Sequence, residues 1–205
     1  MAALCRLFIG MLRRMFEQEK MLPQWLVERV AAETGSFPTV EARMRLVIEF
    51  SQLNIEKGTG GPFAAAIFDA DNWRLIAAGV NRVVPLNSSI AHAEMLAIAG
   101  AQQALGSFDL GAKGLPRCEL VTSCEPCAMC FGAVPWSGVY QLTCGATALD
   151  AQHIGFDEGP KHPDWIGELE KRGIRVLTGV CRNEAAKVLA DYHAMNGLIY
   201  NGRRE

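Results

Sequence analysis

The chain has 205 residues, half of them apolar and a fifth charged, with a formal net charge of -2. That length suits one domain with a substantial core plus appendages, and the composition is that of an ordinary soluble globular protein. The near-neutral balance argues against a broad phosphate-binding surface of clustered Lys and Arg, and so against a nucleic-acid partner. Seven cysteines, an odd number without a convincing secretory signal, favour a reducing, cytoplasmic compartment in which thiols stay free for metal binding.

In chain order, Met1 to Lys20 scatters Leu4, Leu7, Phe8, Met11, Leu12, Met15 and Phe16 among Arg6, Arg13 and Arg14. This is the pattern of a short amphipathic helix, too short and too charged to span a bilayer. No other segment reaches spanning length, so no membrane partner is expected. Residues 1–38 read as an N-terminal extension, helical or disordered, with a turn or two of helix at Gln24 to Ala32 before the Gly35-Ser36-Phe37-Pro38 break. The recognisable domain then occupies residues 39–205.

From Thr39 to Lys57, Val40, Met44, Val47, Ile48, Ser51 and Ile55 recur at helical spacing until Gly58-Thr59-Gly60-Gly61-Pro62 stops the pattern. Phe63 to Phe68 and Trp73 to Val80 are short apolar runs around Asp69-Ala70-Asp71-Asn72, the signal of two strands and a tight turn. After the loop Pro85 to Ser89, Ile90 to Leu105 reads as an apolar helix with Ser88 or Ser89 available to cap it, which puts His92 and Glu94 in its first turn. Glu119 to Ser123 is a strand. Pro126, with no N–H to lose, suits the first turn of the next helix, so Cys127 and Cys130 fall at i and i+3 on one face. Val139 to Cys144 is a fourth strand, Ala148 to Asp164 mostly loop, and Trp165 to Arg172 a short helix. Ile174 to Leu177 is a fifth strand and Asn183 to Met195 a final helix, which the tail leaves at Gly197. Helices alternating with strands after a hairpin imply an α/β fold, a mixed sheet of about five strands sandwiched by helices.

Two stretches carry the chemistry: Ala91-His92-Ala93-Glu94 and Ser123-Cys124-Glu125-Pro126-Cys127-Ala128-Met129-Cys130. One imidazole and two thiolates are three ligands, which leaves a fourth position for water as a hydrolytic zinc needs. A helix N-terminus favours the thiolate forms. Glu94, two residues past the His, then stands as a proton carrier rather than a ligand. A lone C-x-x-C also fits a redox motif, half a structural zinc site or part of an iron–sulfur run. Cys124, Cys127 and Cys130 do form a triple at three-residue spacing, but Val134 stands where a fourth Cys is expected, and Cys118, Cys144 and Cys181 fall at no cluster spacing. Two helix starts, each after an extended segment, favour a catalytic zinc, with structural zinc as the alternative.

Through these motifs the sequence resembles the cytidine deaminase-like zinc deaminases. Gly60-Gly61-Pro62-Phe63, Asn81-Arg82-Val83-Val84-Pro85 and Gly155-Phe156-Asp157-Glu158 look like the bacterial guanine deaminase branch, over roughly Thr39 to Asn201. The resemblance implies a three-layer α/β/α sandwich, one zinc with a bound water per subunit on His92, Cys127 and Cys130, and hydrolysis of guanine to xanthine and ammonia. Amino-triazines such as ammeline are implied side substrates. By the same resemblance Asn81 hydrogen-bonds the purine edge, Ala93 lies against the substrate, and Phe63, Phe156 and Tyr200 enclose the base. Glu158 reads the N1–H and amine face and shuttles a proton, with Asp157 competing for that role. A homodimer whose C-terminal segment closes the other subunit's site is implied too, so that Tyr200 acts in cis or in trans. The rival readings are a nucleoside or tRNA adenosine or cytidine deaminase with the same zinc chemistry, and a non-catalytic zinc-binding scaffold, which has no need of Glu94.

Overall fold

The computed structural model describes residues 21–202, so the amphipathic pattern at Met1 to Lys20 lies outside the described residues. Strands β1 (Ala64–Asp69) and β2 (Leu75–Val80) pair antiparallel, with Ala64 opposite Val80 and Ile67 opposite Ala77. Between them the Asp69 carboxylate accepts from Asp71 N–H at 2.7 Å, a short side chain closing a turn on its own backbone. Trp73 has a left-handed backbone, φ 64°, which cannot continue a strand, so β2 starts two residues later than the apolar run predicts.

Strand β3 (Cys118–Cys124) runs antiparallel to β1 and parallel to β4 (Gln141–Ala146), and β4 is parallel to β5 (Arg175–Leu177). The order β2-β1-β3-β4-β5 makes the mixed five-stranded sheet that the sequence implies. Alternate residues face opposite layers. Ala64, Ala66 and Phe68 pack with Met44, Val47 and Phe50 of helix α2 (Val40–Glu56) and Val188 of helix α8 (Arg182–Ala194). Ala65 and Ile67 pack on the other side with Ala97 and Ile98 of helix α4 (Ala93–Leu105) and Val134 of helix α5 (Ala128–Ser137). Three layers, α/β/α, result. Helix α1 (Gln24–Ala32) joins the first of these clusters through Leu26, which is fully buried. Beneath α2, the buried Glu119 carboxylate pairs with Arg43 at 2.6 Å and accepts from Thr143 Oγ1 at 2.6 Å, which joins the sheet to the helix.

Three local expectations are corrected. The segment read as a loop at Ala148 to Asp164 contains helix α6 (Ala148–His153), started by a reciprocal capping box between Thr147 and Asp150. Helix α3 (Val83–Leu86) interrupts the loop after β2. Neither Ser88 nor Ser89 caps α4, because Ser88 closes the turn behind α3, its N–H on the Val83 carbonyl at 3.0 Å and its carbonyl accepting from Ala91 N–H at 3.1 Å. Helix α4 starts at Ala93, with His92 as its N-cap. Its first turn is set hard against β2, since a Cβ on Gly79 would lie 2.3 Å from the Ala93 carbonyl oxygen. Helix α7 (Trp165–Glu170) completes the crossover from β4 to β5. No described helix is long and apolar enough to cross a membrane.

Candidate active site

His92 and Cys127 occupy the same kind of place. Each is the N-cap of its helix, with extended backbone (φ -73°, ψ 154° and φ -66°, ψ 174°), and neither side chain makes a capping hydrogen bond. N-cap positions are commonly given to Ser, Thr, Asp or Asn, whose oxygens satisfy the first free N–H groups. Here they are given to an imidazole and a thiol, which point at each other. Cys127 is therefore one position earlier than the first turn, and Cys130 is the third residue of α5.

The donor atoms converge. Sγ of Cys127 lies 3.5 Å and Sγ of Cys130 3.6 Å from Nδ1 of His92, and the three ligand atoms all lie within 4.8 Å of one another. Zn–S and Zn–N bonds of about 2.3 and 2.05 Å at a tetrahedral angle put S and N about 3.6 Å apart. The residues thus fit a zinc ion in type, number and spacing, and could hold one. Cys124 is no part of this cluster: it is buried and its thiol donates to the Thr147 carbonyl at 3.4 Å, which removes the iron–sulfur alternative.

Protein charges alone already polarise the corner. The Cys130 thiol donating to Cys127, helped by His92, pulls the Cys127 pKa down to about 4, while Cys130 is pushed up by the same interaction. Burial opposes charging of His92, but the Cys127 thiolate and the Glu94 and Glu158 carboxylates outweigh it and raise its pKa. A bound dication would favour the thiolate form of both cysteines, reinforcing the shift at Cys127 and reversing the one at Cys130.

Two carboxylates flank the cavity, both 7 % exposed. Glu94 is in the first turn of α4, and burial raises its pKa, with the Cys127 thiolate adding to the effect. Glu158 comes from the loop after α6, and burial lifts it to about 8, again reinforced by Cys127 and by Glu94. Asp157 is exposed instead, at the cavity rim, and its carboxylate accepts from Gly159 N–H at 2.8 Å. Of the two adjacent acids, Glu158 is the buried one.

Asn81, 1 % exposed, follows β2. Its Oδ1 accepts from Val83 N–H at 3.3 Å, which leaves the NH2 as the group for a ligand. Phe63, Phe156 and Tyr200 form one aromatic wall, with Phe156 5.0 Å from each of the other two between ring centroids, both edge-on. Tyr200 leans over Gly61, where a Cβ would come within 2.9 Å of its ring and hydroxyl. The cavity, about 210 Å³, is lined by His92, Glu94, Cys127, Asn81, Glu158 and Tyr200 among others. That is below the range of about 300–1,000 Å³ for drug-sized ligands. Two of the expected residues, Ala93 and Cys130, are fully buried and are not in the lining.

Three supporting residues escaped the sequence reading. Asn54 Nδ2 donates to the Gly61 and Asn81 carbonyls at 2.8 and 3.0 Å and so ties the loop before β1 to the residue that follows β2. Lys161 Nζ donates to the Pro126 carbonyl at 3.0 Å, and Asn201 grips the Glu158 loop. A polar residue inside the apolar spacing of α2 was the one available signal, at Asn54; Lys161 and Asn201 gave none.

Residues 38–146, from the start of the body to the end of β4, match the family model for the cytidine and deoxycytidylate deaminase zinc-binding region. The chain belongs to that family. Among curated relatives, guanine deaminase from Bacillus subtilis is 36% identical over 134 residues, 65% of this chain and 81% of that one. The tRNA-specific adenosine deaminase from Buchnera aphidicola is 27% identical over 149 residues, 73% of this chain and 90% of that one. Among solved structures, that of guanine deaminase from Nitrosomonas europaea is 53% identical, covers 84% of this chain and 94% of its own, and superposes with a TM-score of 0.81. A structure of the protein NE0047 with 2,6-diaminopurine bound is 54% identical, over 89% of this chain and 96% of its own, with a TM-score of 0.83. As a member of this family the chain is a zinc aminohydrolase in fold and in donor set.

Proposed function

We propose that the chain is a zinc-dependent guanine deaminase that converts guanine and water to xanthine and ammonia. The observation that carries the reading is the second buried carboxylate, Glu158, in the same cavity as His92, Cys127 and Glu94, with Cys130 grouped beside His92 and Cys127. The guanine deaminase relatives support it, as do the NE0047 structures with 2,6-diaminopurine and 8-azaguanine. In two of the 8-azaguanine structures one Asn and one Glu are replaced, and these lie as far apart in that chain as Asn81 and Glu158 do here.

His92, Cys127 and Cys130 would hold one zinc per subunit, which would supply the Lewis acidity that activates water near neutral pH. Glu94 accepts the proton released as water adds to C2 of guanine and passes it to the ring nitrogen. A carboxyl group whose pKa burial has raised is suited to both directions of that transfer. Glu158 accepts from N1–H and the exocyclic amine and assists proton delivery to the departing ammonia. The Asn81 NH2 donates to the purine edge, and Phe63, Phe156 and Tyr200 enclose the ring. Adenine offers a ring-nitrogen acceptor where guanine has N1–H, so it leaves buried groups unpaired and is rejected.

The tRNA adenosine deaminase relative supports the rival reading, in which a flipped nucleotide enters an open pocket. Tyr200, Asn201 and Gly202 line the cavity, and this cover opposes it. Cytoplasmic location is proposed from the described cysteines, none of which forms a disulfide. A homodimer is proposed as well; the tail lies on its own chain's cavity, and exchange would place the same contacts across an interface. Ammonia release by the purified, zinc-containing protein from guanine, ammeline, adenine, cytosine and cytidine tests the assignment. Guanine is expected to turn over with ammeline as a slower substrate, and release from adenine or cytosine without guanine refutes it.

A further inference from the structure

The segment between α6 and α7 that carries Glu158 has no regular structure, yet a recognition group must be held to a fraction of an ångström. Where its backbone groups find partners therefore matters. The Glu158 carbonyl accepts from Ala128 N–H at 2.9 Å, and Lys161 donates to the Pro126 carbonyl at 3.0 Å. Both contacts tie the loop to the start of α5. The third hold comes from the tail. Nδ2 of Asn201 donates to the Gly155 carbonyl at 2.8 Å, and its Oδ1 accepts from Asp157 N–H at 2.9 Å. One side-chain amide thus bridges the backbone on both sides of Phe156.

The tail is itself placed by the same aromatic cluster. It turns back at Asn196, φ 55°, and Gly197, whose N–H bonds the Tyr192 carbonyl at 2.9 Å. The Tyr192 hydroxyl then donates to the Leu198 carbonyl at 2.8 Å. The Tyr192 ring stacks on Phe156 at 6.2 Å, and Tyr200 meets the same ring edge-on at 5.0 Å. Two tyrosines hold the Phe156 side chain while Asn201 holds its backbone neighbours, and Glu158 follows two residues later.

We propose that Asn201 is a positioning residue for the deamination, coupling the docking of the C-terminal tail over the cavity to the placement of the Glu158 carboxylate. Closing the site and presenting the group that reads the base are then one event. The inference rests on the role given to Glu158 above. Asn201 touches no reacting atom in this scheme and acts through the Asp157 amide and the Gly155 carbonyl.

A double-mutant cycle on guanine kinetics tests it. Asn201→Ala, which loses both bonds, is expected to lower kcat/KM about 10- to 100-fold, with zinc content and thermal midpoint near those of the parent. Glu158→Gln lowers it by itself, and adding Asn201→Ala to that variant costs little more, because the group being positioned has gone. Asn201→Asp keeps the acceptor facing Asp157 and loses the donor facing Gly155, so it falls between the parent and Asn201→Ala. It carries the test if the alanine variant does not fold. A loss that recurs undiminished in the Glu158→Gln background makes Asn201 merely structural and overturns the inference, as does unchanged guanine kinetics in Asn201→Ala or in Asn201→Asp. Unchanged kinetics in Glu158→Gln alone overturn the role of Glu158 first, and the inference with it.

Discussion

The two halves of the cavity are built differently. The metal corner is made by the starts of two helices on one face of the sheet: His92 and Cys127 are N-caps, and Glu94 and Cys130 lie within the first turns. Each side chain there is fixed by elements that pack into the central core. The opposing wall is made of a loop and a tail, Gly155 to Gly159 and Leu198 to Gly202, held by side-chain clasps and one aromatic cluster. The corner is built on packed helices, as metal geometry demands, whereas the wall is built of loop and tail, the kind of element on which binding groups are commonly carried. On the function proposed above, reaction type belongs to the first and choice of substrate to the second.

The largest predicted effect breaks the corner. His92→Ala or Cys127→Ala should leave a two-ligand remnant, release zinc, and cut turnover of guanine by at least roughly 10³-fold. Metal analysis should show the ion gone, and the thermal midpoint should fall because zinc binding contributes to stability. An active, zinc-replete Cys127→Ala protein would show that the ligands are misassigned. Next in size is Glu94→Gln, which keeps the shape of the side chain and removes its proton chemistry. Zinc should stay bound while kcat drops about 10² to 10⁴-fold. Loss of zinc along with activity would make Glu94 a ligand instead.

The same contrast explains what could be read in the sequence. His92, Glu94, Cys127 and Cys130 sit within two short motifs on neighbouring helix starts, so local spacing was enough to bring them together. The short apolar run from Phe63 to Phe68 and the helical spacing from Val40 to Ile55 likewise point to β1 and the α2 layer. Asn201 was illegible because its partners, Gly155 and Asp157, are over forty residues away, with separations of 46 and 44. Arg43 and Glu119 were hidden for the same reason, since a charge inside an amphipathic pattern reads as surface until its partner is found. Helix α6 is legible in Thr147 and Asp150, which stand at capping-box spacing. Ser88 and Ser89 mislead because a good cap residue three or four positions early also serves a turn, and α4 has His92 as its N-cap instead.

Truncation after Gly197 sharpens the comparison from the other side. It removes Tyr200 and Asn201 while leaving the corner intact, so zinc content should be unchanged. The guanine KM should rise, with kcat/KM falling about 10- to 100-fold as the base loses its cover. Full activity in the truncated protein would show that the wall closes without its tail.

The smallest effect is the most telling in sign. The Tyr200 hydroxyl is buried and has no hydrogen-bond partner among the described residues, although the ring around it is well packed. Burial accordingly raises its pKa well above the usual phenol value, so it stays a neutral donor. An unpartnered buried hydroxyl costs a fold about 1–3 kcal/mol of desolvation. Tyr200→Phe keeps the ring and removes that cost, so the thermal midpoint should hold or rise slightly. If the hydroxyl is there for a ligand, the guanine KM should nevertheless rise about two- to tenfold, the worth of one hydrogen bond. Stability and affinity moving in opposite directions is what separates a group held for a ligand from one held for the fold. A variant with unchanged KM would return Tyr200 to simple enclosure of the base, and one with a lowered midpoint would reveal a structural partner for its hydroxyl.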